Sequence, residues 1–373
     1  MNNEKFLLRN ISYCILFLLC LIWIVSCGNN SFYKPEIYTP VNLIKNSPNH
    51  YCFVNGKNYI DFCVLSDDGK LDYISETIPP NEYQVDTVVR GMTAEDEMLY
   101  YYTRDYRIAE DGQIIKKTII YKFDAINNEI YKLDDWDTLK SEHNNSSIQI
   151  YENYLYFFKS NEYGSNDICR INKNGGEFEK LTDNHDSIYT GLFFFDDSVY
   201  YQKDLMLYKT TMDNLKNGEL LFENISTIEL YNGYFYCKDS KSGSFYRIDP
   251  KDSESVETLI TDMYGSYYII KDDIIYYSVY DPTEIGINKY SNITIYNETQ
   301  GKIYAYNIST GEKKLFFQDK NMMFRTLLNI NDDSILVKAY TNEQAVNSEN
   351  GVPQEYYIVP LDGTKPYLIE DLT

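Results

Sequence analysis

Hydrophobic positions in this chain come in short runs of four to six residues, rich in Tyr, Phe, Ile and Leu and broken by Asn, Asp and Gly. No 3.6-residue period runs through them, which argues for strands and against helices. One stretch shows the full phrase. Ser226-Thr-Ile-Glu-Leu-Tyr231 leads through Asn232-Gly233 into Tyr234-Phe-Tyr-Cys237; a short loop then precedes Ser244-Phe-Tyr-Arg-Ile-Asp249, and a further turn precedes Val256-Glu-Thr-Leu-Ile260. Asn-Gly between two such runs is a strong hairpin signal. The phrase predicts four short antiparallel strands.

The phrase repeats. Its first turn and second strand return as Asp96 before Met98-Leu-Tyr-Tyr-Tyr102, Asn153 before Tyr154-Leu-Tyr-Phe-Phe158, and Asp196-Asp197 before Val199-Tyr-Tyr201. They return again as Asp272-Asp273 before Ile274-Ile-Tyr-Tyr277 and Asp332-Asp333 before Ile335-Leu-Val337. Third strands recur as Ile119-Ile-Tyr-Lys-Phe-Asp124, Asp167-Ile-Cys-Arg-Ile-Asn172, Leu207-Tyr-Lys209, Lys302-Ile-Tyr-Ala-Tyr-Asn307 and Tyr356-Tyr-Ile-Val-Pro-Leu-Asp362. Six copies lie between about 85 and 373. A seventh is read at 50–86, turning at Asn55-Gly56, with strands near 59–65 and 71–74 and a last one near 83–86. The spacing fits propeller blades of about 40–50 residues. A lone four-stranded sheet cannot bury both faces, whereas a ring covers each sheet with its neighbours. The expected fold is therefore all-β: a single β-propeller of four-stranded antiparallel blades over 50–373, seven blades, with six as the alternative count.

The first 26 residues read differently. Lys5 and Arg9 precede Ile11–Val25, a run of 15 mostly apolar residues, which is shorter than a spanning helix requires. The run ends in Ile24-Val25-Ser26-Cys27, which resembles the bacterial lipobox: an aliphatic residue, a small one, then the cysteine that receives a diacylglyceryl group. The expectation is a lipoprotein signal peptide over 1–26, lipidated Cys27 as the mature start, and a flexible tether over 27–49 with Pro35, Pro40 and Pro48. Two acyl chains suffice for stable attachment. This places the protein on the extracytoplasmic side of the cell membrane. An uncleaved anchor helix and a soluble secreted chain are the alternatives.

Composition narrows the function. Tyr occurs 39 times against two Trp, and 43% of the chain is apolar, ample for a core. With 34 basic and 56 acidic side chains, the formal charge is −22. Such a surface repels phosphate backbones, so nucleic acid is excluded as a partner. After Cys14, Cys20 and Cys27 are set aside, Cys52, Cys63, Cys169 and Cys237 remain, too few for a disulfide framework and read as small strand fillers. Cys52 and Cys63 flank Asn55-Gly56 with a stagger that keeps them from bridging. His50, His143 and His185 show no metal-ligand spacing, and no nucleophile elbow, Gly-rich phosphate loop or full calcium loop is present. No cofactor, metal or catalytic residue is expected.

Ser244-Phe-Tyr-Arg-Ile-Asp249 and Asp167-Ile-Cys-Arg-Ile-Asn-Lys-Asn-Gly-Gly-Glu-Phe-Glu-Lys-Leu-Thr182 resemble the YWTD-like propellers of the low-density-lipoprotein-receptor type, and most closely their bacterial surface-lipoprotein relatives of unknown function. The Tyr-Trp-Thr-Asp core itself is absent, the nearest run being Tyr101-Tyr-Thr-Arg-Asp105. The receptor type has six blades. The resemblance implies a binding or scaffolding role.

Loops between second and third strands emerge on one ring face together with the blade-to-blade connections. The long ones span 103–118, 278–301 and 341–355. Their concentration marks a ligand surface. The 278–301 insertion carries Tyr280, Tyr290 and Tyr296 with Asp281 and Glu284, an aromatic and acidic candidate rim. The Asp-Asp pairs fall in hairpin turns on the opposite face, where acids suit the turn itself. The reading is a monomeric, non-enzymatic module that binds an extracytoplasmic protein, peptide or glycan. The alternative is a glycan- or peptide-cleaving enzyme using carboxylates at the channel mouth.

Overall fold

Thirty strands account for nearly all regular structure in a computed structural model that describes residues 41–42, 50–54, 60–65, 71–77, 86–95, 98–108, 114–124, 127, 129–137 and 148–368 except 332 and 350–354. Side chains of the first sheet and of 104–116 lie outside that description, as do Cys27 and the whole predicted signal segment. The strands form seven four-stranded sheets: I (41–77), II (86–137), III (148–180), IV (189–222), V (225–260), VI (263–318) and VII (322–368). Each is an antiparallel meander of consecutive strands, interrupted in sheet VI alone by an inserted two-stranded hairpin. First strands of sheets I and II, II and III, III and IV, V and VI, and VI and VII lie against one another. First strands therefore line the centre and fourth strands the periphery, which makes the molecule a seven-bladed β-propeller. Among the described residues no helix is long and apolar enough to cross a membrane.

Why the second strands read as unbroken aromatic runs is plain from the packing. Leu155 and Phe157, with Ile148 of their own blade, face blade II, where they meet Tyr100, Tyr102 and Ile120. Their chain neighbours Tyr156 and Phe158 point the other way, onto Leu192, Val199 and Tyr201 of blade IV. Tyr200 then joins Phe235 and Cys237 of blade V, while Tyr236 joins Ile275 and Tyr277 of blade VI. Tyr276 packs with Ile335 and Val337 of blade VII. Successive strand residues face opposite sides, and here both sides are core, so no polar alternation survives. The outer faces of this series are covered too. Leu99, Tyr101 and Phe123 of blade II, and Leu336 and Ile358 of blade VII, are all wholly buried.

In blades III, IV and V the third strand supplies a cation between an aromatic and an acid. Tyr156, Arg170 and Glu179 lie directly opposite one another on consecutive strands of blade III, and Tyr236, Arg247 and Glu257 repeat this in blade V. Tyr200, Lys209 and Glu219 follow the same register in blade IV. Arg170 pairs with Glu179 at 2.8 Å and lies 4.5 Å from the Tyr154 ring. Cross-strand contacts of this kind stabilise sheets by tenths of a kilocalorie to about 1 kcal/mol each.

Three expectations are corrected by the strand order. In blade I the loop after Val54 joins second and third strands, with Val54 opposite Ile60, so Asn55-Gly56 is not the first turn. The phase shifts by one strand. His50–Val54 becomes the second strand, Leu71–Thr77 the fourth, and Val41–Asn42 supplies the first, inside the segment expected to be tether. Residue 86 accordingly opens blade II. The same longer loop places Cys52 opposite Phe62, so its stagger from Cys63 is a single residue, not four. Finally, 103–118 is largely not a loop. Strands Met98–Ile108 and Ile114–Asp124 stay paired as far as Ile108 opposite Ile114, a hairpin projecting from the ring face.

Candidate functional site

In blades III to VI two-residue turns join first to second strands, and these emerge on one face. Asp196 and Asp197, Asn232 and Gly233, and Asp272 and Asp273 each hold positive φ at both central positions. That is the type I′ geometry whose twist matches a hairpin, and Asp and Asn tolerate it best after Gly. These carboxylates therefore serve the turn. Asp196 pairs with Lys251 at the surface, and Asp332 lies outside the described residues.

The opposite face carries the insertions. In blade VI, Thr283–Ile287 and Thr294–Asn297 pair as a hairpin, with Glu284 opposite Tyr296 and a bulge at Ile285. In blade VII, Thr341 caps a short helix, Asn342–Asn347: its Oγ1 accepts from the Gln344 amide and its own N–H donates to Gln344 Oε1. The two insertions are docked together. Ile285 and Ile295 pack on Met323, Tyr340 and Ala345. Buried Asn288 donates to the carbonyls of Ala345 and Ser348, and its Oδ1 accepts from the amides of Tyr290 and Ser291. Buried Asn297 donates to the Met322 carbonyl and to Asn342 Oδ1. Two fully engaged carboxamides thus fix the hairpin to its neighbouring blade.

With its inner side anchored, the hairpin presents its outer side to solvent. Tyr280, Tyr290 and Tyr296 are 57, 60 and 49% exposed, and Ile287 and Ile293 are exposed to a similar degree. All three predicted rim tyrosines thus stand on one insertion. The two isoleucines were not singled out by sequence, although Thr283-Glu-Ile-Gly-Ile287 and Thr294-Ile-Tyr-Asn297 carry the β-branched signal of a strand pair. Charge follows the aromatics. Asp281 pairs with Lys302 and Glu298 with Arg325, and Arg325 lies over the Tyr340 ring.

A second aromatic feature occupies the same face of blade III. Tyr163, from the loop between second and third strands, stacks on His185 from the blade III–IV connection with ring centroids 4.1 Å apart. Asn161, Ser165 and Asn184 hold the two loops together, through donations from Asn161 Nδ2 and Ser165 Oγ to the Asn184 carbonyl.

Towards the centre, Glu229 on the first strand of blade V is partly buried, and burial alone raises its carboxyl to about 7. Among the described residues no carboxylate contributes to that shift. Cys169 and Cys237 are free and buried in inter-blade clusters, with the Cys169 thiol pushed up to about 12 by desolvation. Among the described residues no group of three His, Cys, Asp or Glu side chains comes together as a metal site.

No protein family matches the chain, and no curated protein matches it. Solved structures do. A prolyl endopeptidase aligns over 90% of this chain and 50% of its own length at 11% identity, with a TM-score of 0.59. A puromycin hydrolase aligns over 81% of this chain and 50% of its own length, at 7% identity and TM-score 0.53. An uncharacterised protein of Listeria monocytogenes EGD-e, lmo1340, aligns over 90% of this chain and 95% of its own length, at 11% identity and TM-score 0.52. The chain spans half the length of the first two. At these identities the likeness is one of fold, and the fold they share with this chain is the β-propeller.

Proposed function

We propose that this protein is a lipid-anchored, extracytoplasmic binding module, whose propeller presents the blade VI hairpin to a protein, peptide or glycan. The observation that carries the reading is the docked pair of insertions: two buried carboxamides hold a hairpin whose outer side exposes three tyrosines and two isoleucines. Large apolar side chains clustered on one anchored element mark an interaction site more than a solvated loop. Enzyme chemistry would ask for a second carboxylate beside Glu229, and its raised titration has burial as its only cause. Anchoring rests on the basic start, the apolar run and Ile24-Val25-Ser26-Cys27. The bacterial surface-lipoprotein propellers, which the strand phrases resemble, supply the same expectation.

Two experiments test the parts separately. Cys27→Ala should leave a precursor that takes up no labelled fatty acid; uptake by the variant overturns the anchor. Full-length protein in detergent should retain material from envelope extracts that the Tyr280→Ser, Tyr290→Ser, Tyr296→Ser triple variant loses at an unchanged melting temperature. Equal retention by both proteins, or turnover of an envelope glycan without retention, overturns the binding role of this rim.

A further inference from the structure

We infer that the occupant of the blade VI rim is a cationic polypeptide segment, with its Lys or Arg side chains lying on the exposed tyrosine rings. This rests on the binding role proposed above and gives it a partner chemistry. Charge makes the first argument. The two docked insertions, 278–301 and 341–355, hold six acidic residues and one basic, Lys289, roughly twice the net negative charge per residue of the chain as a whole. Within them Asp281 and Glu298 are paired, and Glu355 accepts from Gln344 and Tyr357. Among the described residues Glu284, Glu343 and Glu349 form no ion pair. Glu284 stands directly across the hairpin from Tyr296.

Ring chemistry makes the second. The face of a tyrosine attracts a guanidinium or ammonium group. This chain uses that contact repeatedly within its own blades: Arg170 lies over Tyr154, Arg247 over Tyr234 at 5.2 Å, and Lys313 over Tyr304 at 4.8 Å. On the rim, half-exposed Tyr296 stands across from Glu284, and Tyr290 is exposed on the same hairpin, a comparable combination turned outward. Ile287 and Ile293 add apolar area, which a polypeptide partner satisfies and a small polyamine does not. An anionic glycan, a nucleic acid or an anionic lipid surface meets repulsion from a chain of net charge −22.

The test uses full-length protein in neutral detergent and a short fluorescent peptide alternating arginine with leucine. Companion probes replace arginine by glutamine or by glutamate, and a neutral oligosaccharide serves as the fourth. The arginine peptide should bind, weaken as salt rises, and lose about tenfold in affinity on Tyr290→Ala with Tyr296→Ala. Glu284→Gln with Glu349→Gln should lose about threefold and flatten the salt dependence. Tyr131→Ala, an exposed tyrosine of blade II, should change nothing. Equal binding of the glutamine peptide, or rim-dependent binding of the oligosaccharide alone, overturns the cationic partner and leaves the rim's binding role intact. Arginine-peptide binding untouched by the rim variants, or no probe bound at all, overturns the inference as well. Only loss of rim-dependent capture from extracts removes the binding role itself.

Discussion

Gly301 ends the long insertion of blade VI and re-enters the third strand with φ +58°. A Cβ there would collide with the Asp319 carbonyl oxygen and come within 2.9 Å of the Met322 carbonyl oxygen. Both are backbone atoms, which cannot swing aside. Gly301→Ala should therefore destabilise the fold by about 3 kcal/mol or more, read as a fall in melting temperature. Glu229 offers the opposite opportunity. Its carboxyl titrates near 7 when folded and near 4.5 when unfolded. Below about pH 4.5 both states hold the proton. Between about 4.5 and 7 the unfolded chain releases it first, so stability falls as pH rises, and above 7 the full loss stands. That loss is at most about 3 kcal/mol. Glu229→Gln should flatten this slope and raise the melting temperature at pH 8 more than at pH 5.

Among elements, the inserted hairpin depends on Asn288 in a way its exposed tyrosines do not. Replacing the side chain by alanine would leave the buried carbonyl of Ala345 and the half-buried one of Ser348 without this donor. Asn288→Ala should cost about 1–3 kcal/mol locally and raise amide hydrogen exchange over 283–297, with blades III to V unchanged. Much of this element plan was legible in the chain. Asp-Asp and Asn-Gly turns marked the blades because type I′ geometry admits few other residues. The exposure of Tyr280, Tyr290 and Tyr296 is legible because an insertion interrupts the repeat. Blade I was displaced by one strand because a five-residue loop between Val54 and Ile60 contains an Asn-Gly pair that mimics the first turn. The helix at 342–347 is not legible in the sequence, although Thr341 and Gln344 spell its capping box, because six residues leave no periodicity to read. The docking of one insertion on the other rests on Asn288 and Asn297, and nothing in a sequence tells a carboxamide aimed at a distant carbonyl from one in water.

At the scale of the ring, stability resides in clusters shared by adjacent blades. Cys169 lies in the cluster between blades II and III, and Cys237 in that between blades IV and V. Burial keeps both thiols protonated at neutral pH. Neither should react with iodoacetamide in the folded protein, and both should be labelled at similar rates as denaturant opens it, followed by peptide mapping. Markedly unequal rates would show that the two seams part independently.

Among the described residues every blade is built from consecutive chain, with no strand lent from one end to the blade at the other. Where adjacent blades meet between II and VII, they are held by the side-chain clusters of the seams. Fresh termini introduced between 318 and 322, with the old ones joined by a linker, would divide no sheet, and such a permuted molecule has every hydrogen-bonded ladder of the parent.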